Sequence, residues 1–501
     1  MNNIVRQKTK EVWEFGDFQT PENLAIETIE VIKRLNISPI SIVEPTCGRG
    51  SFLLAAIRTF NDVSNLLGVD INKAHLDYLE EKVSREAFGV PITILHADFF
   101  TLDWIQILKD LPQPILIIGN PPWVTNADLA KLKSSNLPEK SNFQNHLGFD
   151  AITGKSNFDI SEWMLLQYLK WLNKRHGIVA VLCKTAVARK ILVHVWKHEL
   201  PLTSSRIYRI DAMKHFHAAV DACFFVMEMG NEKSLDCQVY DSLQDTTPSR
   251  TFGYHDETIL ADVEIYQRWR HLRGKDSTYT WRSGIKHDCA KVLELEQRNG
   301  DFYNQQGISA DIENIYVYPM YKSSDIANGE ISKHRKYMLV TQKLIGEKTA
   351  HIEIDAPKTW QYLKRNNDSF SKRRSSIYRN RPPFSIFGVG DYTFTPWKVA
   401  VSGFYKSLKF KCIGPAEGRP AIFDDTVYFL PCYSEQEAQF LTDLLNSNPT
   451  QKFLNSMIFW NDKRPITIDL LKRLNLHALS IELGRETEYL KFSNQRLKNF
   501  S

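Results

Sequence analysis

No apolar run in this 501-residue chain approaches the roughly 18 residues that a membrane-crossing helix needs. The opening residues, MNNIVRQKTKEVWEF, lack the apolar core of a secretory leader. Seven cysteines, at 47, 183, 223, 237, 289, 412 and 432, include no CxxC pair. Neither a disulfide framework nor a zinc or iron–sulfur site is therefore expected, and reduced thiols in a cytoplasmic protein are. His194 and His198 have a metal-ligand spacing, but no glutamate lies between them and no third ligand is nearby, so no metal is assigned. Internal repeats and low-complexity tracts are also missing.

What remains is a globular composition, 43% hydrophobic and 24% charged, in a chain too long for a single core. Its net charge of +5 is unevenly spread. Residues 331–420 hold 18 Lys/Arg against 6 Asp/Glu, which leaves the rest of the chain acidic. Such a split suits one module that meets a polyanion and another that does not.

From Ser41 to about Gly230, short apolar runs alternate with amphipathic stretches, the texture of a doubly wound α/β sheet. Strands are expected at Ser41–Glu44, Leu66–Asp70, Ile92–His96, Ile115–Ile118, Gly177–Leu182, Arg206–Asp211 and Ala222–Glu228, with a helix over Ile160–Trp171. Residues 231–265 are polar and turn-rich and read as a linker. Beyond them, strand-like pieces among basic residues predict a mixed α/β domain over 266–501, with a capped helix beginning at Ser434.

Chemistry gathers at the ends of the expected strands. Glu44 is followed by Thr46, Gly48 and Gly50, a turn where two residues lack a Cβ and a ligand can approach the backbone. Asp70, 20 residues after Gly50, ends the second strand and is placed for the hydroxyls of a ribose; an ordinary helix cap is the alternative. Asp98 ends the third and is placed for an adenine amine, with Phe99 or Phe100 available to stack. After the fourth comes Gly119-Asn120-Pro121-Pro122-Trp123. The prolines remove two backbone donors, leaving the Asn120 side-chain oxygen and the Pro121 carbonyl to accept both hydrogens of one amine. Trp123 offers a face for a planar ring.

The ordered set Thr20-Pro21, EPTCGRG (44–50), GVDI (68–71), HADFF (96–100) and GNPPW (119–123) resembles the amino-group DNA methyltransferases of the gamma order, found among type II restriction–modification adenine methylases. The resemblance implies a seven-stranded, Rossmann-like catalytic domain over 1–230, with S-adenosylmethionine as cofactor. It places Thr20, Pro21, Glu44, Thr46, Gly48, Gly50, Asp70, Ile71, Asp98, Phe99 and Asn120 around that cofactor. Asn120, Pro121, Pro122 and Trp123 become the catalytic loop, and Phe216 the aromatic on the far face of an extruded base, with a core residue as its alternative. Gly16-Asp17-Phe18 resembles the start of the N-terminal cofactor motif, and Ser156-Asn157-Phe158-Asp159 a further motif near the cofactor. The implied partner is double-stranded DNA, bound by a recognition domain through Lys372, Arg373, Arg374, Arg379 and Arg381. Segments 381–388 and 460–465 carry a looser likeness to such specificity domains. A monomer with a separate cognate endonuclease is expected; RNA adenine or a protein glutamine amide are the alternative acceptors.

Overall fold

In the computed structural model the chain forms two compact units, Met1–Val263 and Glu264–Ser501. The structure describes residues 19–86, 88–124, 159–328 and 336–500, with side chains as far as 496. Gly16, Asp17, Phe18, Ser156, Asn157 and Phe158 lie outside the described residues.

The first unit is built on ten strands: β1 (Ser41–Glu44), β2 (Asn65–Asp70), β3 (Ile92–His96), β4 (Ile115–Gly119), β5 (Gly177–Lys184), β6 (Leu202–Ile210), β7 (Ala222–Met229), β8 (Asp236–Tyr240), β9 (Arg250–His255) and β10 (Thr258–Leu260). Their order across the sheet is β10-β9-β8-β6-β7-β5-β4-β1-β2-β3. From β3 to β5 every pairing is parallel, and β7 is inserted antiparallel between β5 and β6. β1 and β4 are buried along their whole length, as central parallel strands covered on both faces must be.

The chain runs outward from β1 to β2 to β3 and then resumes on the other side of β1 with β4. That reversal leaves a crevice at the carboxyl ends of β1 and β4, the place where open α/β sheets bind ligands. The described residues of this unit also form helices α1 (Glu22–Arg34), α2 (Ser51–Thr59), α3 (Lys73–Glu86), α4 (Trp104–Leu108), α5 (Ile160–Trp171), α6 (Thr185–Lys197) and α7 (Ala212–Phe216).

Two expectations are corrected. The sheet has ten strands where seven were expected, and residues 231–265 are not a linker, because they supply β8, β9 and β10. β8 and β9 mix buried with exposed or half-buried positions, so much of their length is polar. The β9–β10 turn is made by Asp256 and Glu257, both at positive φ, without the glycine that would have signalled a hairpin.

The second unit holds a four-stranded sheet, β11-β19-β16-β17, and a five-stranded one, β13-β12-β15-β14-β18. These comprise β11 (Arg282–Ser283), β12 (Glu294–Arg298), β13 (Asp301–Asn304), β14 (Val317–Tyr321), β15 (Lys336–Leu339), β16 (Trp397–Ser402), β17 (Lys411–Ile413), β18 (Ile422–Phe423) and β19 (Val427–Cys432). The helix Glu435–Leu445 starts as its sequence implies, with Ser434 Oγ accepting the Glu437 N–H. Glu437 also holds Arg496 at 2.8 Å, a buried ion pair tying this helix to the C-terminal one.

Lys398, on β16, is 1% exposed and donates to the Thr395 carbonyl at 2.6 Å. Burial pulls its ammonium down to about 7. The unfolded chain holds that proton up to the ordinary lysine range while the fold releases it near 7, so stability rises with pH across this window. Lys398→Met should therefore stabilise the chain at neutral pH, by ~1–4 kcal/mol. Thermal unfolding as a function of pH checks this: the variant should lose the wild-type rise above pH 7.

Candidate active site

The turn after β1 is tied to the end of β2. Cys47 N–H reaches the Val69 carbonyl at 2.8 Å, and Gly48 N–H reaches Asp70 Oδ2 at 2.8 Å. The other Asp70 oxygen accepts the Asn72 N–H, also at 2.8 Å. A carboxylate offers about four acceptor positions, so Asp70 can stitch the turn to the strand and still receive a hydroxyl. Next to it Ile71 is 46% exposed, an apolar face unusual at the end of a central strand.

Gly48 and Gly50 have φ of +50° and +77°, conformations that L side chains resist. The volume a side chain would fill is not left for a ligand, contrary to what two glycines in a turn suggest. A Cβ on Gly48 would lie 2.7 Å from Gln19 Oε1, and one on Gly50 would lie 2.4 Å from Leu79. Gln19 Oε1 in turn accepts the Arg49 N–H at 3.1 Å, and Ser51 Oγ donates to the Thr20 carbonyl at 2.8 Å. The segment from Gln19 to Pro21, which leads into α1, is thus laid directly against the glycine turn that follows Thr46. Gln19 belongs to the N-terminal motif that resembles a cofactor-contacting segment, but sequence reasoning assigned it no role of its own.

Glu44 ends β1 with its side chain only 2% exposed, Oε2 accepting the Leu53 N–H at 3.2 Å. Burial, opposed by that hydrogen bond and reinforced by Asp70, holds its carboxyl well above the usual range. Beside it ends β4, where a Cβ on Gly119 would lie 3.4 Å from Glu44 Cγ and the chain enters Asn120. Asn120 and Pro122 are half-buried, and Pro121 is buried.

Trp123 is 9% exposed and meets the Phe216 ring edge-on at 5.2 Å. Its ring N–H donates to the Leu182 carbonyl at 3.3 Å, and its own carbonyl accepts Lys184 Nζ at 2.9 Å. Phe216 is 6% exposed and belongs to the same core. The two rings expected to flank a base therefore touch each other.

Asp98 follows β3 and uses Oδ1 to accept the Phe100 N–H at 2.9 Å. Phe99 is committed to the core, packed among Trp104, Trp163, Tyr168 and Trp171 with ring centroids 5.4–6.2 Å away. Its side chain is withdrawn from the expected stacking role. Half-buried Phe100 keeps the more accessible ring.

In the second unit Lys372, Arg374, Arg379 and Arg381 are at least partly exposed, but Arg373 is turned inward. Its guanidinium donates to the carbonyls of Ser385 at 2.6 Å, Phe370 at 3.2 Å and His287 at 3.3 Å, and lies 3.7 Å above the Tyr378 ring. Arg373 is therefore corrected from a surface cation to an internal rivet. In a basic run, side chains facing in and out look alike in the sequence.

No family profile matches the chain. It is 45% identical over 478 residues to the type II methyltransferase M.NspV of Nostoc sp., an alignment spanning 95% of this chain and 98% of the relative. This chain belongs to the type II methyltransferases. A second relative, the type II methyltransferase M.VspI of Vibrio sp., is 25% identical over 158 residues, 32% of this chain and 34% of its own. Among solved structures, the type IIL restriction–modification enzyme MmeI bound to DNA is similar over 94% of this chain and 67% of its own. At a TM-score of 0.48 and 14% identity, that likeness carries no argument.

A raised Glu44 places a cost on the unliganded fold. The protonated side chain is accommodated below the ordinary carboxylate range, and stability falls as pH climbs from there towards its elevated value. Glu44→Gln keeps an acceptor for the Leu53 N–H and removes the charge. It should raise the stability of the methyltransferase at neutral pH and flatten that decline. Thermal unfolding at several pH values reads both effects.

Proposed function

We propose that this methyltransferase transfers the methyl group of S-adenosylmethionine to N6 of an adenine swung out of duplex DNA. One observation carries the reading: the Asn120-Pro121-Pro122-Trp123 loop leaves β4 at the strand-order reversal, beside Glu44 and the glycine turn. There, donor and acceptor sites share one crevice.

An aromatic amine is a weak nucleophile because its lone pair is delocalised into the ring. In the proposed site, the Asn120 side-chain oxygen and the Pro121 carbonyl accept its two hydrogens. That leaves the nitrogen lone pair free to point at the methyl group and stabilises positive charge developing on nitrogen. Asp70 takes the ribose hydroxyls, Ile71 lies against the donor's purine, and the Asp98 carboxylate with the Phe99 N–H addresses that purine's edge. Thr20 and Pro21 close over the methionyl part, whose ammonium group offsets the buried charge of Glu44.

Extruding the base costs a few kcal/mol, which stacking partly offsets. Because Trp123 is held by Leu182 and Lys184, Phe216 is the ring that yields when the adenine enters. Phe216 lies at the end of a five-residue helix followed by His217 at φ +52°. The indole N–H of Trp123 serves as an anchor, leaving its face for the base. The second unit serves target recognition, with Lys372, Arg374, Arg379 and Arg381 meeting phosphates. The enzyme works as a monomer alongside a separate cognate endonuclease.

Modification mapping of DNA from cells expressing the chain should show N6-methyladenine at one recurring sequence. Purified protein should put labelled methyl into duplex DNA, and incorporation only into RNA or only into protein would overturn the proposal. Asn120→Ala should reduce transfer by a factor of about 10² or more while the affinity for S-adenosylhomocysteine stays within about threefold.

Charge reversal at Lys372, Arg374, Arg379 and Arg381 should weaken DNA binding and lower the slope of log K against log salt, by about 0.9 for each phosphate no longer neutralised. An unchanged slope would return those residues to the role of a solvated face.

A further inference from the structure

Two consecutive prolines leave the catalytic loop with an anchoring problem. Pro121 and Pro122 have no N–H, so neither can be stapled to a neighbouring strand by donating a hydrogen bond. The loop's two amine-accepting oxygens nevertheless need to be fixed within about half an ångström. The residues that follow the prolines supply restraint.

Three interactions hold the loop's downstream end. Trp123 ring N–H donates to the Leu182 carbonyl at 3.3 Å. Ile160 N–H, in the first turn of α5, donates to the Val124 carbonyl at 2.9 Å. Lys184 Nζ donates to the Trp123 carbonyl at 2.9 Å. The same ammonium bonds Asp159 Oδ2 at 2.6 Å, and Asp159 is 6% exposed. The other oxygen of Asp159 caps α5, accepting the Ser161 N–H at 3.1 Å and the Ser161 hydroxyl at 2.5 Å. Lys184 is the last residue of β5, a strand otherwise apolar from Gly177 to Cys183. A lysine there is costly unless it has partners, and both of its partners belong to the loop or to the helix that receives it.

We propose that Lys184 and Asp159 form a strut that positions the Asn120–Trp123 loop for methyl transfer, Lys184 acting through the Trp123 carbonyl. Both are positioning residues. The pair has no net charge, so it stiffens the loop without setting an uncompensated cation near a sulfonium donor. An ammonium bonded to the Trp123 carbonyl fixes the peptide plane that follows Trp123 and, with the ring N–H bond to Leu182, pins that residue through both backbone and side chain. The strut rests on the proposed reaction, but its mechanical part can be read without any reaction.

Asp159→Asn keeps an oxygen to cap α5 and weakens the grip on Lys184; Lys184→Met with Asp159→Asn removes the ion pair without stranding a buried charge. For both variants we expect S-adenosylhomocysteine affinity within about threefold of wild type and the unfolding midpoint nearly retained. Single-turnover methyl transfer should fall at least about tenfold, as expected when geometry rather than binding is impaired. Amide exchange at Asn120, Trp123 and Val124 should quicken at least about tenfold, while β4 and β7 remain protected. Exchange in that segment equal to wild type would overturn the strut, whatever the acceptor proves to be. So would full transfer by the double variant, or a parallel loss of midpoint and cofactor affinity, which would make the pair an element of the fold. A wild-type chain that transfers no methyl to DNA would sink the proposed reaction, leaving the exchange measurement to decide the strut.

Discussion

Val43 sits opposite Ile117 in a parallel pair of strands, each buried from end to end. That register fixes the relation between the turn after Glu44 and the loop after Gly119, because both leave the sheet within a residue or two of it. In a strand covered on both faces, a slip by one position would exchange every neighbour at once, so the packing of four buried residues against five sets the geometry of the crevice. The motifs lie 75 residues apart in the chain, Gly119 being that far beyond Glu44, yet a Cβ on Gly119 would be in ordinary contact with the Glu44 side chain.

Around this pair the protein fills its own gaps. Gln19 and Leu79 occupy the volumes over Gly48 and Gly50, and Asp70 locks the turn from the neighbouring strand. The turn is therefore held by the chain's own side chains, and a site so held loses little binding energy to reorganisation. The unfavourable burial of Glu44 belongs to the same logic, for strain of this kind persists only where surrounding packing over-determines it.

Much of this was legible in the sequence, and the parts that were not share physical reasons. β1 and β3 have the bounds expected of them; β1 is legible because a strand covered on both faces shows as an apolar run. The order of the motifs brought Thr20, Glu44, Asp70 and Asn120 to one edge of the sheet without any knowledge of distances. The edge strands β8 to β10 escaped because much of their length is polar and their hairpin turns without glycine. Phe99 could not be told from Phe100, because which of two adjacent rings turns inward depends on Trp104 and Trp171, set by other elements. Asp159 was visible as part of a motif, but its partner Lys184 was one basic residue among many. Its only signal was its place at the end of an apolar strand.

The inward turn of Arg373 bears on any effort to re-engineer the basic segment. Three backbone carbonyls and an aromatic face depend on that one guanidinium, whereas Lys372 and Arg374 on either side of it make no such inward bonds. A library that randomises the stretch as a block would mix two kinds of position, and most of its members would be lost to misfolding rather than to altered preference. Keeping Arg373 constant confines the diversity to side chains whose replacement leaves the scaffold standing.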